Sequence, residues 1–405
     1  MKFIDGGVCA AQGFKASGIH VGVKTHNTEK KDLALIVADC ECNAAAVYTK
    51  NVVKAAPIYV TKENLKNGKA RVVFANSGNA NACAPNGEEN AMRMCKAVAL
   101  ELGFRADEVI VASTGVIGQP LPIDTIEKGV QKLVSQLSSS GSQDAAAAIM
   151  TTDLTMKELA VEFQIDGKTV KIGGIAKGSG MIHPNMGTML AFLTTDCAIS
   201  SEMIQKALID TTRVSFNRVS VDGDSSTNDM LSLIAGGLAG NAEITYASEG
   251  YTKFCQALNA LCVELAKMIA ADGEGATHLI TCTVSGARSE QDAEDISKSV
   301  ISSSLTKAAI FGADANWGRV LCAMGYSGVE FNPDKVDVAF ESTAGKILVC
   351  KNGRGLDFDE TLAKKILTPH DITIAITIGE GEAECTCWGC DLTYDYVKIN
   401  GDYRS

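Results

Sequence analysis

A basic excess is missing from this sequence: 37 lysines and arginines stand against 48 aspartates and glutamates, a formal net charge of -11. A nucleic-acid partner needs a basic face to neutralise phosphates, so that class of function is excluded. Beyond that the charge speaks only for solubility. Missing too is an apolar run after Met1-Lys-Phe-Ile-Asp-Gly-Gly7, so no secretory signal is expected. No segment is expected to approach the roughly 20 apolar residues that span a bilayer, which points to a cytoplasmic protein without a membrane partner. Low-complexity tracts are nearly absent, the serine-rich residues 138–142 being the one linker-like stretch, and no internal repeat is visible.

What is present suits a globular enzyme. At 405 residues, 46% hydrophobic and 21% charged, the chain can bury one or two substantial cores. Its 14 cysteines sit mostly in apolar contexts such as Phe254-Cys255 and Leu261-Cys262, which reads as small core residues rather than a disulfide framework. Cys385-Thr-Cys387-Trp-Gly-Cys390 stands apart, because three thiolates could face a metal. The local pattern offers no fourth ligand, however, and Cys385 and Cys387 fall on one face of a strand, so no metal site is assigned.

Strand and helix patterns alternate along the chain. Residues 71–75 read as a short strand, followed by a loop over 76–86 and a helix with Ala91, Met94, Val98 and Leu102 on one face. Residues 107–112 read as the next strand, ending at Ser113-Thr114-Gly115. Pro120 and Pro122 then break the chain, and Asp124 is expected to cap a helix carrying Ile126, Val130, Leu133 and Leu137. Leu159, Val161, Phe163 and Ile165 alternate up to Asp166-Gly167, beyond which Val170 and Ile172 continue, a hairpin signal. Phe254, Leu258, Leu261, Leu265 and Met268 mark a long helix ending at Asp272-Gly273, with Gly275 permitting a tight return. Residues 280–284, 336–340, 347–350 and 372–378 add strands.

The segment Lys177-Gly-Ser-Gly-Met-Ile-His-Pro-Asn-Met-Gly-Thr188 carries the chemistry. It sets a hydroxyl nucleophile after a glycine, at the mouth of the apolar run 189–193. Gly187 leaves the carbonyl that Thr188 Oγ would attack without a neighbouring side chain. Attack exchanges amide for ester, and hydrolysis leaves Thr188 as a new N-terminus whose α-amine, with an unperturbed pKa of roughly 7.7–8.0, can serve as general base. The same residues also read as a glycine-rich turn entering a core strand.

Several ordered blocks carry a resemblance. They are Gly6-Gly-Val-Cys-Ala-Ala-Gln-Gly-Phe-Lys15, Ala75-Asn-Ser-Gly-Asn-Ala-Asn81, Ser113-Thr-Gly-Val-Ile-Gly118, Thr151-Thr-Asp153, residues 177–192, Ser220-Val-Asp-Gly-Asp-Ser-Ser-Thr-Asn-Asp229, Asp272-Gly-Glu-Gly-Ala-Thr277, Gly312-Ala-Asp-Ala-Asn-Trp-Gly-Arg319 and residues 388–405. Along nearly its whole length the chain resembles the ornithine acetyltransferase family, also called bifunctional glutamate N-acetyltransferase. The resemblance implies an α/β fold, a layered sandwich of helices and mixed strands of the N-terminal-nucleophile kind. It also implies a precursor cut between Gly187 and Thr188 into an α chain, residues 1–187, and a β chain, residues 188–405, associated as an α2β2 heterotetramer.

The same resemblance assigns roles. Thr188 is the nucleophile, Thr114 and Gly115 the oxyanion hole, and Thr151, Lys177, Thr188, Glu274, Asn400 and Ser405 the substrate contacts. Their chemistry is coherent, since Lys177 can pair with the carboxylates of acetylornithine and glutamate while Glu274 can receive an ammonium. Read alone, Thr114-Gly115 is equally a strand-ending turn, Lys177 a solvated loop lysine, Glu274 a helix-end carboxylate, and Asn400 and Ser405 polar tail groups. Two departures stand out: Gly187 replaces the family's usual alanine, and Gly401 and Ser405 replace alanine and threonine. The polar blocks around Asn76-Ser-Gly-Asn-Ala-Asn81 and Ser225-Ser-Thr-Asn228 lack the spacing of a phosphate loop and read as turn networks near the site.

The implied reaction moves acetyl from N-acetylornithine to glutamate through acetyl-Thr188, in arginine biosynthesis, with no metal or organic cofactor. The resemblance also allows acetyl-CoA as a donor. A self-cleaving aminopeptidase or amidase is the alternative enzyme, since water could resolve the same acyl intermediate. A non-catalytic metal or redox protein built on Cys385, Cys387 and Cys390 is the alternative from another class.

Overall fold

A computed structural model describes residues 1–24, 29–183 and 189–401. The fold is mixed α/β and divides into two compact units. The first takes Met1–Gly178, Pro184–Asn217 and Ser225–Leu265, the second Ser179–His183, Arg218–Asp224 and Ala266–Ser405. Each unit draws on residues from both sides of position 187.

Two sheets build the first unit. Strands Phe14–Ile19, Leu33–Ala38, Val72–Asn79 and Val109–Val116 form one, in that order, with only the last pair parallel. The other runs Lys2–Ile4, Lys157–Ile165, Lys168–Lys177, Leu190–Thr195, Met230–Ala235 and Asn43–Tyr48. Strand alternation explains how they stack. Leu33, Leu35, Val72, Phe74, Val109 and Val111 point outward under helices Gly87–Leu102 and Ile123–Ser135. Ala34, Ile36, Ala38, Val73, Ala75, Ile110 and Ala112 point inward, meeting Ala44, Ala46, Ile175, Leu190 and Phe192 of the second sheet. Small alanines at this interface let the sheets approach closely. Each large aliphatic or aromatic side chain buried on either face contributes about 1.5–3 kcal/mol. Helix Ser201–Val214 and the helix starting at Glu249 cover the far face of the six-stranded sheet, where Gly174 leaves room for Leu193, Leu261 and Leu265. Helices, two sheets and helices make the sandwich that the resemblance implies.

The second unit is a seven-stranded sheet: Val219–Ser220, Ala383–Cys390, Leu279–Ala287, Asp371–Thr377, Asp337–Ser342, Gly345–Lys351 and Arg354–Gly355. Ile280, Cys282, Val284, Ile372, Ile374 and Ile376 share a core with Ile296 and Val300 of helix Glu290–Ser302.

The hairpin at Asp166-Gly167 forms as expected, with Ile165 opposite Lys168 and positive φ of 50° and 73° at the two turn residues. Other expectations need correction. Residues 76–79 are strand rather than loop, and the strand starting at Val109 runs through Ser113, Thr114 and Gly115 to Val116. Their polar side chains are bonded within the fold, so nothing forces a turn. Asp124 makes no cap; its helix starts at Ile123 and its carboxylate pairs with Arg93 at 2.8 Å. Residues 138–142 are no linker, since Ser138 bridges to Ala16 and Ser142 opens a helix. Among the described residues one helix, Glu249–Ala271, is long and apolar enough by composition to cross a membrane, with half of its most apolar window buried. Its buried positions follow helical spacing, Phe254, Leu258, Leu261 and Leu265, and Lys253 and Glu264 interrupt it, which suits a core helix. The three-thiol group does not converge. Cys385 and Cys387 lie in the second unit's core, with Ser297 Oγ 3.0 Å from Cys387 Sγ, whereas Cys390 faces the other way, 3.7 Å from Lys307 Nζ. Among the described residues no group of three or more His, Cys, Asp or Glu is placed to hold a metal.

Candidate active site

Three of the expected site residues, Gly187, Thr188 and Ser405, lie outside the described residues. The chain just beyond Thr188 enters strand Leu190–Thr195. Leu190 pairs with Lys177 across an antiparallel ladder, and Met230 N donates to Met189 O at 2.9 Å on the other side. Central position in a six-stranded sheet explains the apolar run, because both faces of this strand are buried.

Thr114 and Gly115 lie near the end of strand Val109–Val116, opposite Ser77 and Gly78. Gly115 has φ +130°, and a Cβ there would stand 2.3 Å from the Gly78 carbonyl carbon, so only glycine fits. Buried amides and hydroxyls hold this strand end. Ser113 Oγ donates to Asn76 Oδ1 at 2.6 Å, and Asn228 Nδ2 donates to the carbonyls of Ser113 and Ala80 at 2.8 and 2.7 Å. The asparagine-rich blocks thus bond backbone and fix the strand end that carries Thr114.

Lys177 is 8% exposed, and its Nζ donates to Thr114 Oγ1 at 3.4 Å, which replaces the solvated-loop reading with a buried ammonium. Thr151 reaches the same region through Asp153. Asp153 Oδ2 accepts from Thr151 N at 3.0 Å, and Oδ1 accepts from Gly178 N at 2.7 Å and from Lys157 Nζ at 2.8 Å. Burial alone would raise this carboxyl. The ammonium groups of Lys177 and Lys157 and the bonds it accepts outweigh that and hold it well below the usual carboxylate range.

Four charged residues near this cluster were not singled out from sequence: Lys24, Asp32, Asp229 and Lys157. Lys24 is driven down to about 8 mainly by burial, and its Nζ donates to the carbonyls of Lys31 and Met150 at 2.6 and 2.8 Å. Asp32, fully buried, accepts from the backbone N–H groups of Val21, Gly22, Val23 and Lys24. Asp229, just before Met230, is raised well above the carboxylate range by burial, with hydroxyl bonds from Ser226 and Thr49 and the Lys177 charge opposing. Only Lys157, four residues after Asp153, left a sequence signal: an i,i+4 acid–base spacing.

Glu274 and Asn400 come together in the second unit, Asn400 Nδ2 donating to Glu274 Oε2 at 2.7 Å. Glu274 is buried rather than a free helix-end carboxylate. Its N–H donates to Ser179 O at 3.1 Å, and Gly180 leaves the space its carboxylate fills, 2.4 Å from where a Cβ would stand. The described site residues thus form two sets, a hydroxyl, a glycine and an ammonium in the first unit and a carboxylate–amide pair in the second.

A family profile described as the ArgJ family matches residues 15–405. The arginine biosynthesis bifunctional protein ArgJ 1 of Clostridium acetobutylicum is 50% identical over 393 residues, covering 97% of this chain and 96% of its own. The arginine biosynthesis bifunctional protein ArgJ of Symbiobacterium thermophilum is 48% identical over 406 residues, covering 100% of both. The crystal structure of the ArgJ protein of Bacillus halodurans aligns with a TM-score of 0.50 and 44% identity, over 52% of this chain and 97% of the solved one.

Proposed function

This chain belongs to the ArgJ family, and on that premise we propose that it is an acetyltransferase of arginine biosynthesis that moves acetyl from N-acetylornithine to glutamate by way of Thr188. The observation that carries the reading is the buried contact between Lys177 Nζ and Thr114 Oγ1, which joins a candidate carboxylate anchor to a candidate oxyanion donor. The strand emerging just after Thr188 pairs with the one that ends at Lys177.

In the first half-reaction, Thr188 Oγ adds to the acetyl carbonyl and its proton passes to the Thr188 α-amine. Thr114 Oγ1 and the Gly115 N–H stabilise the alkoxide, each aligned donor contributing roughly 3–4 kcal/mol to the barrier. The amide C–N bond breaks, ornithine leaves with the proton, and acetyl remains on Thr188 as an ester. Glutamate's α-amine then attacks that ester and gives up one of its own protons to the Thr188 α-amine, the C–O bond breaks, and that proton passes to Thr188 Oγ as N-acetylglutamate departs. Lys177 pairs with the carboxylate of either substrate. Glu274, oriented by Asn400, receives the ornithine side-chain ammonium, and Thr151 and Ser405 are the further substrate contacts that the family resemblance assigns.

Maturation uses the same hydroxyl. Thr188 attacks the Gly187 carbonyl, and hydrolysis of the resulting ester yields chains 1–187 and 188–405, which stay associated as an α2β2 assembly in the cytoplasm. The almost complete match of the solved Bacillus halodurans chain to only half of this one supports such a division, since that chain is about half as long.

Intact mass under denaturing conditions tests the reading. The wild-type protein should give two chains meeting at Gly187 and Thr188, and Thr188→Ala one uncut chain without transferase activity. Normal cleavage in that variant, or release of free acetate in place of N-acetylglutamate when glutamate is present, would overturn it.

A further inference from the structure

Thr151 and Gly178 lie far apart in sequence, in different elements of the first unit, yet one carboxylate accepts the backbone N–H of both. Asp153 Oδ2 takes Thr151 N at 3.0 Å, while Oδ1 takes Gly178 N at 2.7 Å and Lys157 Nζ at 2.8 Å. Asp153 and Lys157 are buried, with side-chain exposures of 0% each. A carboxylate is the side chain this geometry requires, because it alone in that volume offers two acceptor oxygens and a charge. Asparagine keeps one acceptor and turns an N–H2 towards either the Thr151 or the Gly178 amide, so it can serve one segment at the expense of the other.

We propose that Asp153 is a positioning residue for substrate binding: its two oxygens set the spacing between Thr151 and the Lys177-Gly178 peptide, with Lys157 paired to one of them. The inference rests on the reading above that Thr151 and Lys177 contact substrate. Its effect is on where the substrate's polar groups find their partners, not on the hydroxyl that reacts. Displacement by even an ångström at such a point costs up to about a hundredfold.

The experiment compares Asp153→Asn/Lys157→Met, Lys157→Met, Asp153→Glu and Lys177→Met in the purified full-length protein, measuring initial rates, thermal midpoint and denatured mass. The double variant removes both members of the buried Asp153–Lys157 pair together, so neither is left without the other, and Asp153→Glu keeps the charge while moving it by one methylene. Both are expected to cleave normally and to raise KM for N-acetylornithine about tenfold or more, with a smaller fall in kcat. Lys157→Met alone should move KM far less. If the double variant does not fold, Asp153→Glu decides. A KM within twofold of wild type in whichever folded variant decides, with Lys177→Met strongly raising KM, overturns the role of Asp153 and leaves the substrate reading standing. An unchanged KM in Lys177→Met overturns both.

Discussion

Asp153 and Asp229 are both buried carboxyls of the first unit, both feel the charge of Lys177, and the fold shifts their proton affinities in opposite directions. Burial is the largest influence on each and pushes both up. At Asp153 it is overcome, because Lys177 and Lys157 supply positive charge and two backbone N–H groups bond the anion. At Asp229 the partners are the hydroxyls of Ser226 and Thr49, and the distant ammonium is too little to pull the carboxyl back. The comparison teaches that depth does not set charge; the number of charged and N–H donors within hydrogen-bond reach does.

The largest expected effect that breaks this contrast comes from Asp153→Asn with Lys157 intact. It strands a buried ammonium, and the loss of stability should reach about 3–5 kcal/mol by denaturant unfolding, most of it recovered when Lys157→Met is added. A loss below about 1 kcal/mol would mean that the pair is not what holds Asp153 ionised. Next in size is catalysis at the neighbouring hydroxyl. Thr114→Ala should lower kcat by roughly 10²–10³ while leaving folding intact, because one oxyanion donor is removed. An unchanged kcat removes Thr114 from the oxyanion hole.

The smallest effect sharpens the contrast through pH. A carboxyl raised on folding binds its proton more tightly in the native than in the unfolded chain, so its contribution is intact below the unfolded value and declines as pH rises towards the folded value. Asp229→Asn removes that decline. The variant should match wild type near pH 4 and become the more stable of the two by pH 7–8, an increment of order 1 kcal/mol in the difference between their unfolding free energies. Asp153 has the opposite sign: its folded value is depressed, so its stabilisation is present above the unfolded carboxylate range and is lost as pH falls below about 4. An Asp229→Asn variant that is less stable than wild type at pH 8 would show that Asp229 is ionised and paired.

The hairpin at Asp166-Gly167 was legible because a two-residue turn signal sits between two alternating runs, and each is a local property. The strand end at Ser113-Thr114-Gly115 was not, since its polar residues look like a turn, and the side chains that bond it, Asn76 and Asn228, lie 37 and 115 residues from Ser113. Asp124 reads as a cap but is drawn to Arg93, a partner on another helix. The candidate site divides the same way. Resemblance named Thr114, Gly115, Lys177 and Glu274, whereas Lys24, Asp32 and Asp229 surfaced only through burial, because a polar residue in sequence carries no mark of a distant partner that will neutralise it.

Kinetics test the order of the two proposed half-reactions: if N-acetylornithine and glutamate use one pocket in turn, double-reciprocal plots at several glutamate concentrations should give parallel lines. The most direct measurement is the mass of the denatured chains after incubation with N-acetylornithine alone. Acetyl transfer through Thr188 predicts one added acetyl group on the chain beginning at Thr188, removed on addition of glutamate. An active protein whose Thr188 chain gains no mass, with intersecting kinetic lines, would contradict it and leave Thr188 with a role in maturation only.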